Sequence, residues 1–260
     1  MRLTVVGSGD ASNGGGRGHS CYLLDAAGCP PTMLDFGATA LLGLKKLGRD
    51  PHELGALVFT HLHGDHTGGY PYLHIDACYA PTPRTTPLTV VGPVDTEPRL
   101  AALLEATYSG LLDKQPPYAT AYRVLDPAAP VEVAGWRIEA FPTEHMAAPQ
   151  QAYCLRLTAP DGAVLAFSGD TLVSDALIEA ARGADLLVAE CTAPEPPAGR
   201  HITWTEWLEL FPRIEARRIL LTHLSDAMRQ LARVCRRELP AGREVAFADD
   251  GLAINVQPGT

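Results

Sequence analysis

Thr60-His61-Leu62-His63-Gly64-Asp65-His66 sets four metal-capable side chains within six residues. The stretch follows Ala56-Leu57-Val58-Phe59, a short apolar run that reads as a buried strand. His61 and His63 are two apart, so at an extended strand end they face the same way. Gly64 reads as a sharp turn. Beyond it Asp65 and His66 can face a second point, and one loop could supply ligands to two metal ions. The alternative is a polar loop that merely happens to hold three of the chain's nine histidines.

This HxHxDH pattern resembles the metallo-β-lactamase superfamily of hydrolases. That superfamily takes further ligands downstream in the order His, Asp, His. The chain matches each, with His145 in Phe141-Pro142-Thr143-Glu144-His145, Asp170 in Phe167-Ser168-Gly169-Asp170-Thr171 and His223 in Leu220-Leu221-Thr222-His223-Leu224. The resemblance spans nearly the whole chain and implies a four-layer αββα sandwich of the α/β class. It also implies that His61, His63 and His145 hold one metal, that Asp65, His66 and His223 hold another, and that Asp170 bridges them. Imidazole and carboxylate ligands suit zinc, with manganese or iron as alternatives. The superfamily's iron flavoproteins usually carry Glu at the place of His63, which argues against a redox di-iron site. The implied nucleophile is a hydroxide shared by two divalent ions, which Asp65 could also orient or deprotonate.

Within the superfamily, Phe167–Thr171, Leu221-Thr222-His223-Leu224-Ser225 and Ala248-Asp249-Asp250-Gly251 look most like the tRNase Z and phosphodiesterase branch. That branch has a His-Glu-Ala-Thr motif, matched here by Ala189-Glu190-Cys191-Thr192, and a loop histidine, matched by His201 in Arg200-His201-Ile202-Thr203. The resemblance makes Glu190 and His201 candidates for protonating a leaving alcohol oxygen; the alternative is a strand-end carboxylate and a solvated histidine. Long tRNA-binding arms lie between the fifth and sixth ligands of tRNase Z, whereas His145 and Asp170 are separated by 170 − 145 = 25 positions. The expected substrate is therefore a small or flexible phosphodiester rather than folded tRNA. Carboxyl-ester, thioester or lactone hydrolysis is the second reading, and a non-catalytic metal-binding protein the third.

Composition sets the outer bounds. A chain of 260 residues with 46% apolar content supports one substantial core, read as a single domain over 1–260. The net charge of −9 disfavours a broad nucleic-acid surface. No apolar run reaches membrane-span length. Met1-Arg2-Leu3 leads straight into a strand pattern, from which a cytoplasmic protein is expected. Cys21, Cys29, Cys78, Cys154, Cys191 and Cys235 form no CxxC pair and indicate no disulfide framework. Cys191 stands out because it borders the strand ending at Glu190.

Along the chain, Leu3–Gly7 reads as the first strand, followed by a glycine-rich loop, Gly7-Ser8-Gly9-Asp10 and Asn13-Gly14-Gly15-Gly16-Arg17-Gly18. No Lys-Ser/Thr follows it, so it is a weak nucleotide loop, and the resemblance makes it a rim of the metal cleft. Helices are expected at 38–47, from Thr67-Gly68-Gly69 to about His74, and at 97–112, 174–181, 203–211 and 225–239. Residues 70–87 read as an irregular rim whose tyrosines could line a substrate pocket or a subunit contact, which leaves a homodimer open. His52 and His74 are read as non-ligands. Asp161-Gly162 between two apolar runs signals a hairpin.

Overall fold

The computed structural model describes residues 1–111, 113–235, 239–240 and 242–259. Strands β1 (Arg2–Gly7), β2 (Cys21–Asp25), β3 (Thr32–Leu34), β4 (Ala56–Val58), β5 (Leu88–Gly92), β6 (Thr120–Val124) and β14 (Ala253–Asn255) form one sheet in the order β14-β1-β2-β3-β4-β5-β6. The second sheet runs β13-β12-β11-β10-β9-β8-β7. Its strands are β7 (Val131–Val133), β8 (Trp136–Thr143), β9 (Ala152–Thr158), β10 (Val164–Phe167), β11 (Leu186–Glu190), β12 (Arg218–Thr222) and β13 (Glu244–Phe247). Helices α1 (Ala40–Lys46), α2 (Gly64–Thr67), α3 (Tyr70–Tyr79) and α4 (Thr96–Thr107) accompany the first sheet, and α5 (Asp175–Ala181), α6 (Trp204–Leu210) and α7 (Asp226–Ala232) the second.

Period-two burial explains how the sheets meet. Along β8, Trp136, Ile138 and Ala140 are buried and alternate with partly exposed residues, so one face turns inward. They join Leu3, Val5, Tyr22, Val58, Leu155, Phe167 and Leu220 in a core between the sheets. A second cluster lies under α5–α7, around Trp207, Leu177 and Ile219, and a third lies under α1, α3 and α4, around Phe36, Leu57 and Leu100. The layers are therefore helix, sheet, sheet, helix, the αββα sandwich expected. β11 is buried along its whole length because both its faces are covered, and it pairs in parallel with β10 and β12. That arrangement puts the C-terminal ends of β10, β11 and β12 side by side, with Asp170, Glu190 and His223 just beyond or at those ends.

Several local readings are corrected. The sharp turn does not need glycine freedom at Gly64: this residue is not among those with positive φ, and a Cβ there would meet nothing. His63, extended at φ −70° and ψ 157°, is the N-cap of α2, and helix onset makes the turn. A helix does follow, but it is α3 and reaches Tyr79, so the first ten residues of the expected irregular rim are helical. Pro71 stands in its first turn, where a missing N–H costs nothing. Gly69 serves packing against Phe36-Gly37, which a Cβ would strike. Tyr70 and His74 are buried, bonded to the hydroxyls of Tyr122 (3.1 Å) and Tyr118 (3.0 Å), while Tyr72 and Tyr79 are exposed. α4 ends at Thr107 and α7 at Ala232, both short of expectation; Leu112 and 236–238 lie outside the described residues. Gly162, at φ 84°, makes the expected hairpin turn between β9 and β10.

Candidate metal centre

Seven side chains converge at one edge of the sandwich. His61 and His63 leave the end of β4, and Asp65 and His66 lie on α2. His145 follows β8, Asp170 follows β10 and His223 follows β12. They form two groups, His61, His63, His145 and Asp170, and Asp65, His66, His223 and Asp170, with the potential ligand atoms of each group within 4.8 Å of one another.

In the first group, His63 Nδ1 is 3.1 Å from His61 Nε2 and 3.0 Å from His145 Nε2. Asp170 Oδ2 is 3.8 Å and 3.7 Å from the same two Nε2 atoms. In the second, His66 Nε2 is 3.2 Å from Asp170 Oδ2 and 3.3 Å from Asp65 Oδ2. His223 Nε2 is 3.3 Å from Asp65 Oδ2 and 3.5 Å from Asp170 Oδ2. Four donors held tetrahedrally at zinc bond lengths of about 2.0–2.1 Å stand roughly 3.3 Å apart. The distances quoted for the two groups, 3.0–3.8 Å, lie near that spacing. Asp170 Oδ2 is the atom they share.

What lies behind the ligands fixes which nitrogen faces inward. His66 Nδ1 donates to Asp35 Oδ2 at 2.7 Å, and His61 Nδ1 donates to Thr60 Oγ1 at 3.1 Å, whose hydroxyl donates to Asp35 in turn. On the other sheet, His223 Nδ1 donates to Thr192 Oγ1 at 2.9 Å, and that hydroxyl donates to Glu190 Oε2 at 2.7 Å. His145 Nδ1 donates to the Arg200 carbonyl at 3.0 Å. Each of these four imidazoles thus spends its Nδ1 proton on the protein and turns a lone pair on Nε2 toward the centre. Converging lone pairs repel unless a cation sits among them, so the donor set fits two divalent ions. His63, the exposed member, marks the mouth of the site.

Backbone geometry shows the same concentration of constraint. Asp35 and His223 have φ of 54° and 55°, a left-handed region costly for residues with a Cβ. Asp35 is held there by the Thr60 amide (2.9 Å), the Thr60 hydroxyl and His66.

Charge follows from burial and neighbours. Burial pushes His61 well below the usual imidazole range. Burial opposes charge on His66 too, but with no ion present Asp170, Asp35 and Asp65 outweigh it and hold that imidazole well above its ordinary value; a divalent ion would displace the Nε2 proton and restore the lone pair. Asp170 resists its own burial through His223, His66 and His61 and stays ionised. Glu190 is buried, and His201 Nδ1 donates to both of its oxygens at 3.1 Å. That contact overcomes partial burial and raises His201 to about 9. Divalent ions nearby would pull it back toward neutrality, since the His201 ring stacks on His223 with centroids 5.2 Å apart.

All nine residues singled out in the sequence therefore gather in one place. Asp35, Thr60, Thr192 and Arg200 were not anticipated in these orienting roles. None of the six cysteines is in a disulfide, and Cys191 is fully buried with its thiol pushed well up, which argues against a reactive thiolate there. The glycine-rich loop lies beside His223, where Gly9 bridges to Leu224. Its amides are already filled by carboxylates: Asp250 takes those of Ser8 and Gly18, and Asp226 that of Gly15. It is not a phosphate cradle.

Fold and site together define a metallo-β-lactamase-fold protein with His/Asp clusters able to bind metal. The structure aligns with that of the metallo-β-lactamase fold protein YhfI from Bacillus subtilis at a TM-score of 0.74 and 21% identity, covering 98% of this chain and 99% of the other. It aligns with the short form of human tRNase Z at 0.73 and 22%, covering 98% and 99%. In sequence the chain is 34% identical over 227 residues to an uncharacterised protein of Mycobacterium leprae, covering 86% of this chain and 78% of that one. The family model for anti-Pycsar protein Apyc1 matches residues 1–239, and the chain belongs to that family. Among the described residues no helix is long and apolar enough to cross a membrane.

Proposed function

We propose that the chain is a binuclear metal-dependent phosphodiesterase acting on small phosphodiesters, and specifically on 3′,5′-cyclic nucleotides. One observation carries the reading: two four-residue donor groups, each with its ligand atoms within 4.8 Å of one another, meet at Asp170, with the Glu190–His201 pair alongside. His61, His63 and His145 would hold one ion, Asp65, His66 and His223 the other, and Asp170 would bridge. Zinc suits these nitrogen and oxygen donors, as do manganese and ferrous iron. When bound, such ions supply an acidified water as nucleophile and neutralise charge on the phosphoryl oxygens.

The chain's own residues do the rest. Asp65 orients the attacking water. Glu190 holds the His201 ring by Nδ1, which leaves Nε2 free to face substrate. Breaking the cyclic diester separates phosphorus from a ribose oxygen, and His201 gives that oxygen its proton. Membership of the anti-Pycsar family supports a cyclic nucleotide, and the likeness to tRNase Z supports phosphodiester chemistry more broadly. The 25-position interval between His145 and Asp170 holds only a short loop and the β9–β10 hairpin, which favours a small substrate over folded tRNA.

The test is a hydrolysis panel with zinc- or manganese-loaded protein, spanning cyclic nucleotides, linear dinucleotides, carboxyl esters, thioesters and lactones. The highest kcat/KM should fall on cyclic nucleotides. A preference for lactones or thioesters would replace this reading with carbonyl chemistry, and full metal occupancy without turnover would replace it with metal binding alone.

A further inference from the structure

His145 and Arg200, 55 residues apart in the chain, are joined in both directions. His145 Nδ1 donates to the Arg200 carbonyl at 3.0 Å. Arg200 Nη1 in turn donates to the carbonyls of His145 at 3.2 Å and Met146 at 2.9 Å. A guanidinium Nη carries two hydrogens, so one nitrogen can serve both carbonyls. The ring and the backbone of a prospective metal ligand are thus gripped by the same residue. Nothing in the chemistry above uses the second grip.

Arg200 belongs to the loop between β11 and α6, which also carries His201. The base of that loop is closed by the Thr192 amide on the Ile202 carbonyl (2.9 Å), the Trp204 amide on the Ala193 carbonyl (2.8 Å) and the Ile202 amide on Glu190 Oε2 (3.2 Å). Its outer part, with Glu195, Pro196, Pro197 and Gly199 exposed, reaches into solvent, and Gly199 at φ 63° turns the chain into Arg200. The guanidinium then fastens the returning arm to the loop after β8. On either side of this clasp stand the rings of His145 and His201, with centroids 5.0 Å apart.

We infer that Arg200 is a positioning residue that couples the first donor group to the proton donor, seating His201 through the backbone the two neighbours share. The inference rests on the phosphodiesterase reading above, in which His201 protonates the leaving oxygen. Glu190 fixes the His201 ring from behind, but a fixed ring plane helps only when the backbone beneath it is in place. Arg200 supplies that place by tying residue 200 to residues 145 and 146. Holding His145 and seating His201 then favour each other, and coupling of this kind is reciprocal. Metal held by His61, His63 and His145 would order the loop that carries the acid, and a seated loop would raise affinity at that group. A chain short of metal there would also lack a placed acid.

Arg200→Ala tests this, because it keeps the main-chain carbonyl that receives His145 Nδ1 and removes only the guanidinium grip. Two readouts need no turnover. Chelator-competition titration should show affinity for one of the two ions falling about tenfold, as for other partners that orient a ligand. Hydrogen exchange read by mass spectrometry should show zinc slowing exchange in peptides covering 193–203 of wild type and failing to do so in Arg200→Ala. Arg200→Lys keeps a cation with several N–H donors on a long stem and should recover most of both. At saturating metal, kcat/KM of Arg200→Ala should fall about tenfold or more for a cyclic nucleotide and much less for a nitrophenyl phosphodiester. Equal losses for the two substrates would place Arg200 on the substrate phosphate and overturn the inference. A lowered Tm with affinity, protection and substrate ratio unchanged would overturn it too. If cyclic nucleotides are hydrolysed while zinc protects the loop equally in both proteins, the coupling falls and the function stands. If no phosphodiester is hydrolysed while zinc-dependent protection still vanishes in Arg200→Ala, the function falls and the grip on His145 stands.

Discussion

His201 Nδ1 stands 3.1 Å from both carboxylate oxygens of Glu190, whose side chain is buried at 1% exposure. A fork of this kind fixes the ring plane and directs the opposite nitrogen outward. The same carboxylate accepts from Thr192, which in turn receives the Nδ1 proton of His223. Glu190 thus orients two imidazoles, His201 directly and His223 through Thr192.

That arrangement sets the first prediction. His201→Ala should lower kcat/KM by about 10²–10⁴-fold for a ribose leaving group, which must gain a proton to depart. A nitrophenyl ester leaves as a stable anion and should lose much less. Metal content should not change. Glu190→Gln should show the same selectivity more mildly, with a small loss of metal through His223. Equal losses for the two substrates would assign His201 to binding instead.

Metal content gives the second. Protein purified without chelator should carry close to two equivalents by elemental analysis. Asp170→Ala removes the oxygen common to both donor groups and should cost at least one ion together with nearly all turnover. A variant retaining both ions and full rate would refute the assignment of Asp170.

Asp35 gives the third. It touches no prospective ion, yet it receives protons from His66 and, through Thr60, from His61. Orienting partners of this kind are worth about 10–100-fold in metal affinity. Asp35→Asn should show that loss in competition titrations against a chromogenic chelator, with kcat recovering at saturating metal. An unchanged affinity would reduce Asp35 to a fold residue.

The fourth concerns nucleic acid. A net charge of −9 and the short 145–170 interval predict weak association with folded tRNA, weakening further as salt rises. Tight binding at physiological salt, with accurate 3′ cleavage, would mean that some other surface does the work of an arm.

The His61–His66 loop was legible because its candidate ligands are close in sequence and their spacing encodes their direction. His145, Asp170 and His223 were legible through the resemblance and the apolar runs before them. Asp35 was not. Its meaning lies in contacts with Thr60 and His66, 25 and 31 residues away, which no local pattern reports. Arg200 was hidden for a like reason, since an arginine in a proline-bearing loop reads as solvent-facing. The α3 error was one of weighting: Pro71 and the neighbouring tyrosines suggested irregular chain, although proline in a first turn is compatible with a helix. At Gly64 the turn was right and the cause was wrong, because an N-cap residue bends the chain without left-handed backbone.

The prospective ligands are divided between the two sheets. The first sheet brings His61, His63, Asp65 and His66, and the second brings His145, Asp170 and His223. Either ion would therefore rivet two halves that the apolar core and a few hydrogen bonds, such as Tyr22 Oη with Thr222 Oγ1 at 2.7 Å and the Tyr153 amide to the Thr60 carbonyl at 3.1 Å, already join. Resistance to heat and to denaturant becomes a function of free metal, rising as RT ln(1 + [metal]/Kd), about 2.7 kcal/mol at a hundredfold excess over Kd. A chain so bound would lose stability as its metal supply falls, before any question of catalysis arises.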